Sequence, residues 1–237
     1  MTETKIKSID LYSDGIGRVD YVSHMGHDLT VVNAARVSFG KQKDILDDKD
    51  ERLIDYLIKH RHTSTLEHNV LTCRFVVPLF IRSQHHRHRT WAYNEISRRY
   101  TEVDLRFYEP SVFRSQHQSN RQASTNKTDD PVLYRYEDGG VLSASAAVRS
   151  HHKSSLNLYE NLLESGVCRE QARGVLPQNL YTEYYGTCNL SNLMKFIELR
   201  IHEGAQWEIQ QVAQALLTIA EEVWPITVKA FRDNKDF

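Results

Sequence analysis

The spacing of apolar residues predicts short strands at the beginning of the chain and a helix soon after them. Residues 6–12 and 17–22 alternate between apolar and polar positions as strands do, and residues 47–61 carry apolar side chains at helical spacing. Residues 69–77 are rich in β-branched and aromatic side chains and predict a further strand. Pro78 closes that strand and suits the first turn of a helix, so a helix is expected to follow at once.

The second half of the chain predicts mainly helices. Residues 143–165 have a helical pattern that Gly166 ends, and a further helical piece begins at Arg169. The longest helical pattern covers residues 191–224 and is interrupted by Gly204, which costs a helix about 1 kcal/mol relative to alanine. A glycine inside such a pattern often allows the close approach of a ligand or of a neighbouring backbone.

One polar stretch separates the two halves. Residues 110–139 are rich in Gln, Ser, Asn, Asp and Gly and show little periodicity, so they predict a long loop. No internal repeat is visible in the sequence. We therefore expect an α+β fold, with a single helix-rich mixed domain over residues 1–237.

Composition narrows the class of protein. The 237 residues carry a formal net charge of −1, whereas general nucleic-acid binders carry a strong basic excess. No apolar run is long enough to span a bilayer, and the first residues do not resemble a secretory signal. The three cysteines, Cys73, Cys168 and Cys188, have no metal-like spacing and favour a reducing environment. We expect a cytoplasmic protein without a membrane, nucleic-acid or metal partner.

The chemistry is concentrated in residues 81–100. This stretch holds five arginines, three histidines and a single acid, Glu95, interleaved with Trp91, Tyr93 and Tyr100. A planar guanidinium donates two parallel hydrogen bonds to phosphate, and several guanidinium groups together suit a polyanion. The aromatic and amide groups among them suit a flat ring. The stretch therefore predicts a nucleotide site.

Two other interpretations compete with a nucleotide site. Charge runs are usually solvated surfaces, but this one lacks lysine and directly follows an apolar run, residues 70–81. The same arginines and aromatic rings also suit the backbone and bases of a single-stranded nucleic acid. A metal site is disfavoured because the histidines lie among permanent cations, whereas metals need neutral imidazole and gain from carboxylate or thiolate ligands.

Five motifs resemble, in order and in spacing, those of the flavin-dependent thymidylate synthases. They are residues 33–38 (NAARVS), 62–68 (HTSTLEH), 87–99 (RHRTWAYNEISRR), 172–177 (ARGVLP) and 199–209 (LRIHEGAQWEI). The central motif is similar to the family pattern RHRxxSxNExSxR. Together the motifs cover most of the chain, and five in order are far more specific than any one of them.

The resemblance implies an activity and a set of ligands. Enzymes of this family convert dUMP to dTMP, with 5,10-methylenetetrahydrofolate as the carbon donor and FAD, reduced by NADPH, as the source of hydride. They use no cysteine nucleophile and are not Rossmann proteins, and this sequence has no GxGxxG fingerprint. Their active sites form between the subunits of a homotetramer. The same properties are expected of this chain.

The resemblance also implies roles for individual residues in binding dUMP. Arg200 takes the role of polarising or deprotonating the uracil ring, although its position alone favours an ion pair with Glu198 or Glu203 on a helix surface. Glu95 matches a residue that touches both dUMP and flavin, and it can form a structural salt bridge at the same time. The full set expected to bind dUMP is Gln84, Arg87, Glu95, Ser97, Arg98, Arg99, Arg173 and Arg200.

A second set of residues is expected to bind FAD. Arg87, His88 and Arg89 match the family's flavin-binding triplet, whose cations suit a diphosphate and the edge of the flavin ring. Ser191 has a competing role as the N-cap of a helix. The full set is Ser64, Arg87, His88, Arg89, Glu95, Asn189, Ser191 and Lys195.

Three residues depart from the family's pattern. Ala92 replaces a serine of the central motif, Lys195 stands where the family often has a flavin-contacting asparagine, and Gly204 stands where a histidine is common. Ala92 and Gly204 motivate an alternative, a relative that binds flavin without converting dUMP. The arginine set is retained, and an active enzyme is therefore the favoured hypothesis.

Overall fold

The structure, a computed structural model, describes residues 5–101, 104–121 and 123–234. As far as its residues are described, the chain forms two compact units. The first comprises Met1–Val76, Gln84–Asn94 and Glu183–Phe237, and the second comprises Val77–Ser83 and Glu95–Thr182. The single domain expected over the whole chain stays a prediction.

The described residues form one five-stranded sheet and two hairpins. The strands are β1 (Ser8–Asp10), β2 (Arg18–Met25), β3 (Val70–Pro78), β4 (Ala92–Glu95), β5 (Phe113–Gln116), β6 (Ser124–Asp129), β7 (Val132–Arg135), β8 (Val141–Ser143) and β9 (Tyr181–Asn189). The large sheet has the order β1-β2-β3-β9-β4, and β2 pairs antiparallel with both β1 and β3. Strands β5 and β6 form one antiparallel hairpin, and β7 and β8 form the other.

Helices make up much of the remaining described chain. They are α1 (Asp28–Arg36), α2 (Asp48–Lys59), α3 (Leu79–His85), α4 (Ala144–Glu164), α5 (Arg169–Ala172), α6 (Leu190–Ile201), α7 (Trp207–Val223) and α8 (Pro225–Asp233). Side chains satisfy the backbone amides that begin several of them. Asp47 accepts from the first turn of α2, and Ser143 accepts from the first turn of α4. The fold is thus a mixture of helix and sheet.

The first unit has a core made by the sheet and the helices at the end of the chain. Apolar side chains of α6 and α7 are fully buried, among them Phe196 and Ile209. Gly186 on β9 is required by packing, because a Cβ atom there would lie 2.8 Å from the Phe75 ring. The buried carboxylate of Asp28 accepts hydrogen bonds from the backbone that begins α8.

The second unit joins the start of α3 to the segment that precedes β9. The Leu79 amide donates to the Leu180 carbonyl at 3.0 Å, and the Tyr181 amide donates to the Arg106 carbonyl at 2.8 Å. Tyr159 of α4 is buried in this unit. These two contacts join residues that are 101 and 75 positions apart in the sequence.

Several of the predicted elements are confirmed and others are wrong. The strand over residues 69–77, the helix after Pro78 and the helix ended by Gly166, whose φ is +82°, are confirmed. The long loop over residues 110–139 is wrong, since that segment contains β5, β6 and β7. Strands β6 and β7 are exposed on both faces for most of their length, so they leave no alternation of apolar and polar positions.

The longest helical pattern is also only partly correct. Residues 191–224 form two helices, α6 and α7, with a break around Gly204 at the position that the glycine indicated. Strand β9 and helix α8 were not predicted. Within the described residues no helix is long and apolar enough to cross a membrane.

Candidate active site

Aromatic side chains fix the segment that follows α3. His85, the last residue of α3, is fully buried, and its Nδ1 lies 2.8 Å from the hydroxyl of Tyr184. Its ring packs edge-on against Trp91 and Phe75, with ring centroids 4.5 Å and 4.8 Å away. Burial lowers the pKa of His85 well below its usual value, so this imidazole is neutral and part of the core.

Tyr93 fixes the backbone of the same segment. Its hydroxyl donates to the carbonyls of His85 and His88, at 2.9 Å and 3.2 Å. The His88 amide donates to the His85 carbonyl at 2.9 Å. Burial raises the pKa of Tyr93, and the hydroxyl therefore keeps the proton that it donates. The turn from His85 to His88 is thus held by three hydrogen bonds within residues 85–93.

His88 and Arg200 are directly hydrogen-bonded. The Nε–H of Arg200 donates to Nε2 of His88 at 3.1 Å, and the His88 ring packs against Phe196, one turn earlier on α6, at 4.8 Å between ring centroids. Burial and the positive charge of Arg200 lower the pKa of His88 to about 4, so the ring is neutral and accepts. Burial also lowers the pKa of Arg200. Arg200 therefore pairs with a histidine rather than with Glu198 or Glu203.

Gln84 is bonded to the residue that precedes α7. Its side-chain amide donates to Oε1 of Gln206, and the Gln206 amide donates in turn to the buried carboxylate of Glu208 at 2.9 Å. The bond to Gln206 uses one of the two N–H donors of the Gln84 side-chain amide. The structure therefore holds Gln84 through protein groups.

A polar cavity of about 540 Å³ lies in the second unit. This volume is typical of a site for a small molecule. The residues expected to bind dUMP that line it are Glu95, Ser97, Arg98 and Arg173. Arg82 and Thr182, which the sequence did not identify as site residues, line it as well. The cavity thus combines three arginines with a hydroxyl-bearing lining.

The carboxylate of Glu95 is held on one side of this cavity. The Thr182 hydroxyl donates to Glu95 Oε1 at 2.7 Å, and Nε of Arg82 lies 3.2 Å from the same oxygen. Thr182 is buried. The salt bridge allowed for Glu95 is therefore confirmed, with Arg82 as its partner. Among the contacts of the described residues, those to Glu95 involve Oε1 and leave Oε2 for a ligand.

Arg98 and Arg99 are held in different ways. A terminal nitrogen of Arg98 donates to the Tyr181 carbonyl at 3.3 Å and to the Asp104 carbonyl at 3.5 Å. Arg99 is exposed and lies 3.4 Å from the carboxylate of Glu170. A phosphate can displace that ion pair easily, because exposed pairs contribute at most about 1 kcal/mol. The backbone contacts of Arg98 give it a structural role in addition to its expected one.

A smaller cavity of about 200 Å³ lies in the first unit, between residues 57–66 and α6. Its lining is largely apolar, with Arg61 and Lys195 as cations. Ser191 also lines it, and the Ser191 Oγ is buried with no hydrogen-bond partner among the described residues. A buried hydroxyl without a partner costs about 1–3 kcal/mol, so the cavity suits a ligand that supplies one.

The N-cap alternative for Ser191 is wrong. The N-cap of α6 is Asn189, whose side-chain oxygen accepts from the Asn192 amide at 2.9 Å. Ser191 lies in the first turn of the helix, where its hydroxyl is not needed for capping. The side chains of Ser64, Arg87 and Arg89 are exposed, and the structure describes no side-chain contact that assigns them to either cavity.

Two of the three cysteines cannot serve as nucleophiles in this structure. Cys73 on β3 and Cys188 on β9 are both buried, and burial raises the pKa of each thiol far above neutrality. Cys168 is exposed, and its Sγ donates to Gln171 at 3.7 Å. Packing is therefore the role of Cys73 and Cys188.

Comparison with known families gives a match over most of the chain. Residues 20–226 match the family described as thymidylate synthase complementing protein. The chain belongs to this family.

Individual members of the family are similar to this chain over most of their length. A flavin-dependent thymidylate synthase from Thermus thermophilus is 42% identical over 220 residues, which cover 92% of this chain and 76% of that protein. A flavin-dependent thymidylate synthase from Thermotoga neapolitana is 40% identical over 218 residues, which cover 91% of this chain and 90% of that protein.

A solved structure supports the same family at the level of the fold. The crystal structure of the UMP/dUMP methylase PolB from Streptomyces cacaoi, bound with 5-Br dUMP, superimposes with a TM-score of 0.79 at 34% identity. The match covers 95% of this chain and 97% of that chain. The mixed helix-and-sheet fold is therefore that of a family member.

Two groups of the expected family residues come together within the units. Residues 95–98 and 173 share the larger cavity, and His88 and Arg200 share a hydrogen bond. Arg82 could have been found from the sequence, because it lies in the arginine-rich stretch. Thr182 carries no such signal, since its role follows from the pairing of strand β9 with neighbours distant in sequence.

Proposed function

We propose that this protein is a flavin-dependent thymidylate synthase that converts dUMP to dTMP by reductive methylation. In this proposal 5,10-methylenetetrahydrofolate donates the carbon, and FAD reduced by NADPH supplies the hydride. Membership of the family supports the activity and a flavin cofactor. The related methylase with 5-Br dUMP supports dUMP as the substrate.

The larger cavity is the observation that carries the proposal. Residues from two distant segments, 95–98 and 170–174, meet there and contribute Ser97, Arg98 and Arg173. Arginine forks and a hydroxyl are the donors that a phosphate monoester requires. The free oxygen of Glu95 adds an acceptor for a sugar hydroxyl or a ring N–H. This donor and acceptor set suits a nucleoside monophosphate better than an extended polyanion.

Arg200 is proposed to act on the uracil ring. Without a thiol that attacks the ring, the ring has to be activated by donors directed at the atoms where negative charge develops. A half-buried guanidinium is effective here because its charge is less screened than it would be in water. Its lowered pKa also makes proton exchange with the ring easier than for an exposed arginine. The buried thiols of Cys73 and Cys188 are consistent with a reaction that uses no cysteine.

The smaller cavity fits part of a flavin nucleotide. Its apolar lining suits a flat ring, the unpartnered Ser191 hydroxyl offers a hydrogen bond, and Lys195 can meet a phosphate. We assign Ser64, Arg87, His88, Arg89, Glu95 and Asn189 to the same cofactor from the resemblance. When bound, the reduced flavin supplies the hydride, and the residues of this chain orient it and exclude water.

Further properties belong to the same proposal. The proposed enzyme is a cytoplasmic homotetramer whose active sites form between subunits. Its fold is proposed to be a single α+β domain of the family type rather than a Rossmann fold, and the antiparallel pairing of β1, β2 and β3 supports this. Gln84, Arg87 and Arg99 are assigned to dUMP together with the residues of the larger cavity.

The test combines a visible spectrum with an assay of turnover. The purified protein is expected to be yellow, and to release tritium from C5-tritiated dUMP when methylenetetrahydrofolate and NADPH are added. Competition by UMP, which differs from dUMP by its 2′-hydroxyl, shows whether the site accepts a ribose in place of a deoxyribose. A colourless protein that stays inactive with added FAD contradicts the proposal. Tight, salt-dependent binding to a single-stranded oligonucleotide without turnover would instead favour a nucleic-acid module.

A further inference from the structure

We propose that His88 is a positioning residue that holds the Arg200 guanidinium through its Nε–H, and so leaves the terminal amino groups of Arg200 directed at the uracil ring. The inference rests on the proposed function. It gives His88 a role in the reaction on dUMP in addition to the flavin contact that the resemblance implies.

The donor and acceptor inventory of the pair supports this role. Arginine carries five N–H donors in a rigid plane, and the bond to His88 uses the single one on Nε. Of the four donors on the terminal nitrogens, one points along the same edge as Nε–H, and the other three point away from that edge in the same plane. Fixing Nε therefore fixes the direction in which the other donors point.

The His88 imidazole, which accepts this hydrogen bond, is restrained through both its backbone and its ring. Tyr93 donates to the carbonyls of His85 and His88, which restrains the backbone on both sides of the turn. The His88 ring is restrained independently by its contact with Phe196 of α6. Phe196 and Arg200 lie one turn apart on one face of α6. The helix therefore supplies both the side chain that restrains the His88 ring and the guanidinium that His88 binds.

The charge of the acceptor also matters. A carboxylate in place of His88 would neutralise much of the field that Arg200 exerts on the ring. A neutral imidazole accepts the hydrogen bond without cancelling that field. Burial and the adjacent Arg200 keep His88 unprotonated at neutral pH, and the bond therefore persists where the enzyme operates.

Three variants separate the hydrogen bond from packing. His88→Phe keeps a ring against Phe196 but removes the acceptor, and we expect kcat to fall by roughly 10–100-fold, the scale of a misplaced catalytic group. His88→Gln retains an acceptor near the position of Nε2. We expect its kcat to lie at least about halfway, on a logarithmic scale, from the kcat of His88→Phe to that of the parent protein. His86→Phe changes the neighbouring histidine in the same turn and is expected to leave kcat within about threefold.

The readouts are kcat and KM for dUMP at saturating FAD, together with the flavin content and its dissociation constant. The proposal is supported when His88→Phe lowers kcat with little change in KM and His88→Gln restores it. It is overturned when both variants lose activity equally. It is also overturned when His88→Phe only weakens flavin binding and the FAD-saturated variant turns over like the parent protein.

A spectroscopic measurement keeps this inference separate from the proposed function. In ¹⁵N-histidine-labelled protein at pH 7, the signal that His88→Phe removes should be that of a neutral imidazole with its proton on Nδ1. A proton on Nε2 would contradict the bond from Arg200 whether or not the protein turns over dUMP. Conversely, failure of tritium release by the parent protein would contradict the proposed function and leave the tautomer measurement intact.

Discussion

Two regions of the molecule hold a charged side chain in opposite ways. At Arg200 the partner is a neutral imidazole, packed among aromatic rings, and no carboxylate of the described residues forms an ion pair with the guanidinium. At Glu95 the partners are Arg82 and the Thr182 hydroxyl, and the negative charge is largely balanced in an open polar cavity. In the proposed mechanism, the region around Arg200 therefore exerts an electric field on the ligand, and the region around Glu95 orients a hydrogen-bond acceptor.

The largest effect is expected from removing the charge of Arg200. Arg200→Ala should lower kcat by about 10³-fold or more, because it removes both the field and the donors directed at the ring. Flavin content should remain close to that of the parent protein. Arg200→Lys is the matched control: it keeps a cation but loses the planar fork, so kcat should stay at least about tenfold below the parent. Unchanged tritium release by Arg200→Ala would refute the assignment.

A smaller effect is expected in the polar cavity, and mainly on binding. Arg173→Ala should raise KM for dUMP by roughly 10–100-fold, because a charge-assisted hydrogen bond contributes about 1.5–3 kcal/mol. The kcat value should change much less. Steady-state kinetics over a range of dUMP concentrations measure this, and Arg173→Lys should recover part of the affinity. A loss confined to kcat would mean that Arg173 belongs functionally with Arg200.

In both regions, the sequence revealed individual residues more readily than the contacts between them. Arg200, Arg173 and Glu95 were identified by motif, since each lies in a segment whose residue order resembles a family pattern. The bond between His88 and Arg200 was not foreseen, because the two residues are 112 positions apart and meet only once α6 is packed. Thr182 was missed for the same reason.

Secondary structure shows the same division. The helix after Pro78 and the end of α4 at Gly166 depend on local backbone chemistry, which the sequence displays directly. Strands β6 and β7, within residues 110–139, bury little on either face, so no apolar period indicates them. The sequence analysis allowed Ser191 as the N-cap of α6, and only the backbone geometry showed that Asn189, two residues earlier, is the N-cap.

Thr182 offers a more modest test of the polar region. Thr182→Val removes the hydroxyl that donates to Glu95 and keeps the β-branched shape of the buried side chain. We expect KM for dUMP to rise about three- to tenfold, because Arg82 still holds the carboxylate. Thr182→Ser retains the donor and should remain near the parent value. Equal losses in the two variants would show that packing, and not the hydrogen bond, is responsible.

The smallest expected effect is on folding stability as a function of pH. It distinguishes the neutral His88 beside Arg200 from the ion pairs elsewhere in the chain. The pKa of His88 falls from its ordinary value of 6.5 to about 4 in the folded chain. Between these two values the unfolded chain binds more protons at this site than the folded chain, so folding stability decreases as the pH drops from 6.5 towards 4. Asp47, whose pKa its contact with Lys43 lowers to about 2, loses its contribution only at more acidic pH.

Comparing the parent protein with His88→Gln isolates the contribution of His88 to the pH dependence of stability. Other histidines, such as His24 and His85, also have pKa values lowered by burial, but they are the same in both proteins. Between pH 7 and pH 5, the melting temperature of the parent protein should fall by a few degrees more than that of His88→Gln. This shift corresponds to a difference of about 1 kcal/mol in the free energy of unfolding at the melting temperature. Thermal unfolding in matched buffers measures both slopes. Identical slopes would mean that His88 is protonated as readily in the folded chain as in the unfolded one, so that below its ordinary pKa of 6.5 Arg200 would face a second cation instead of an acceptor.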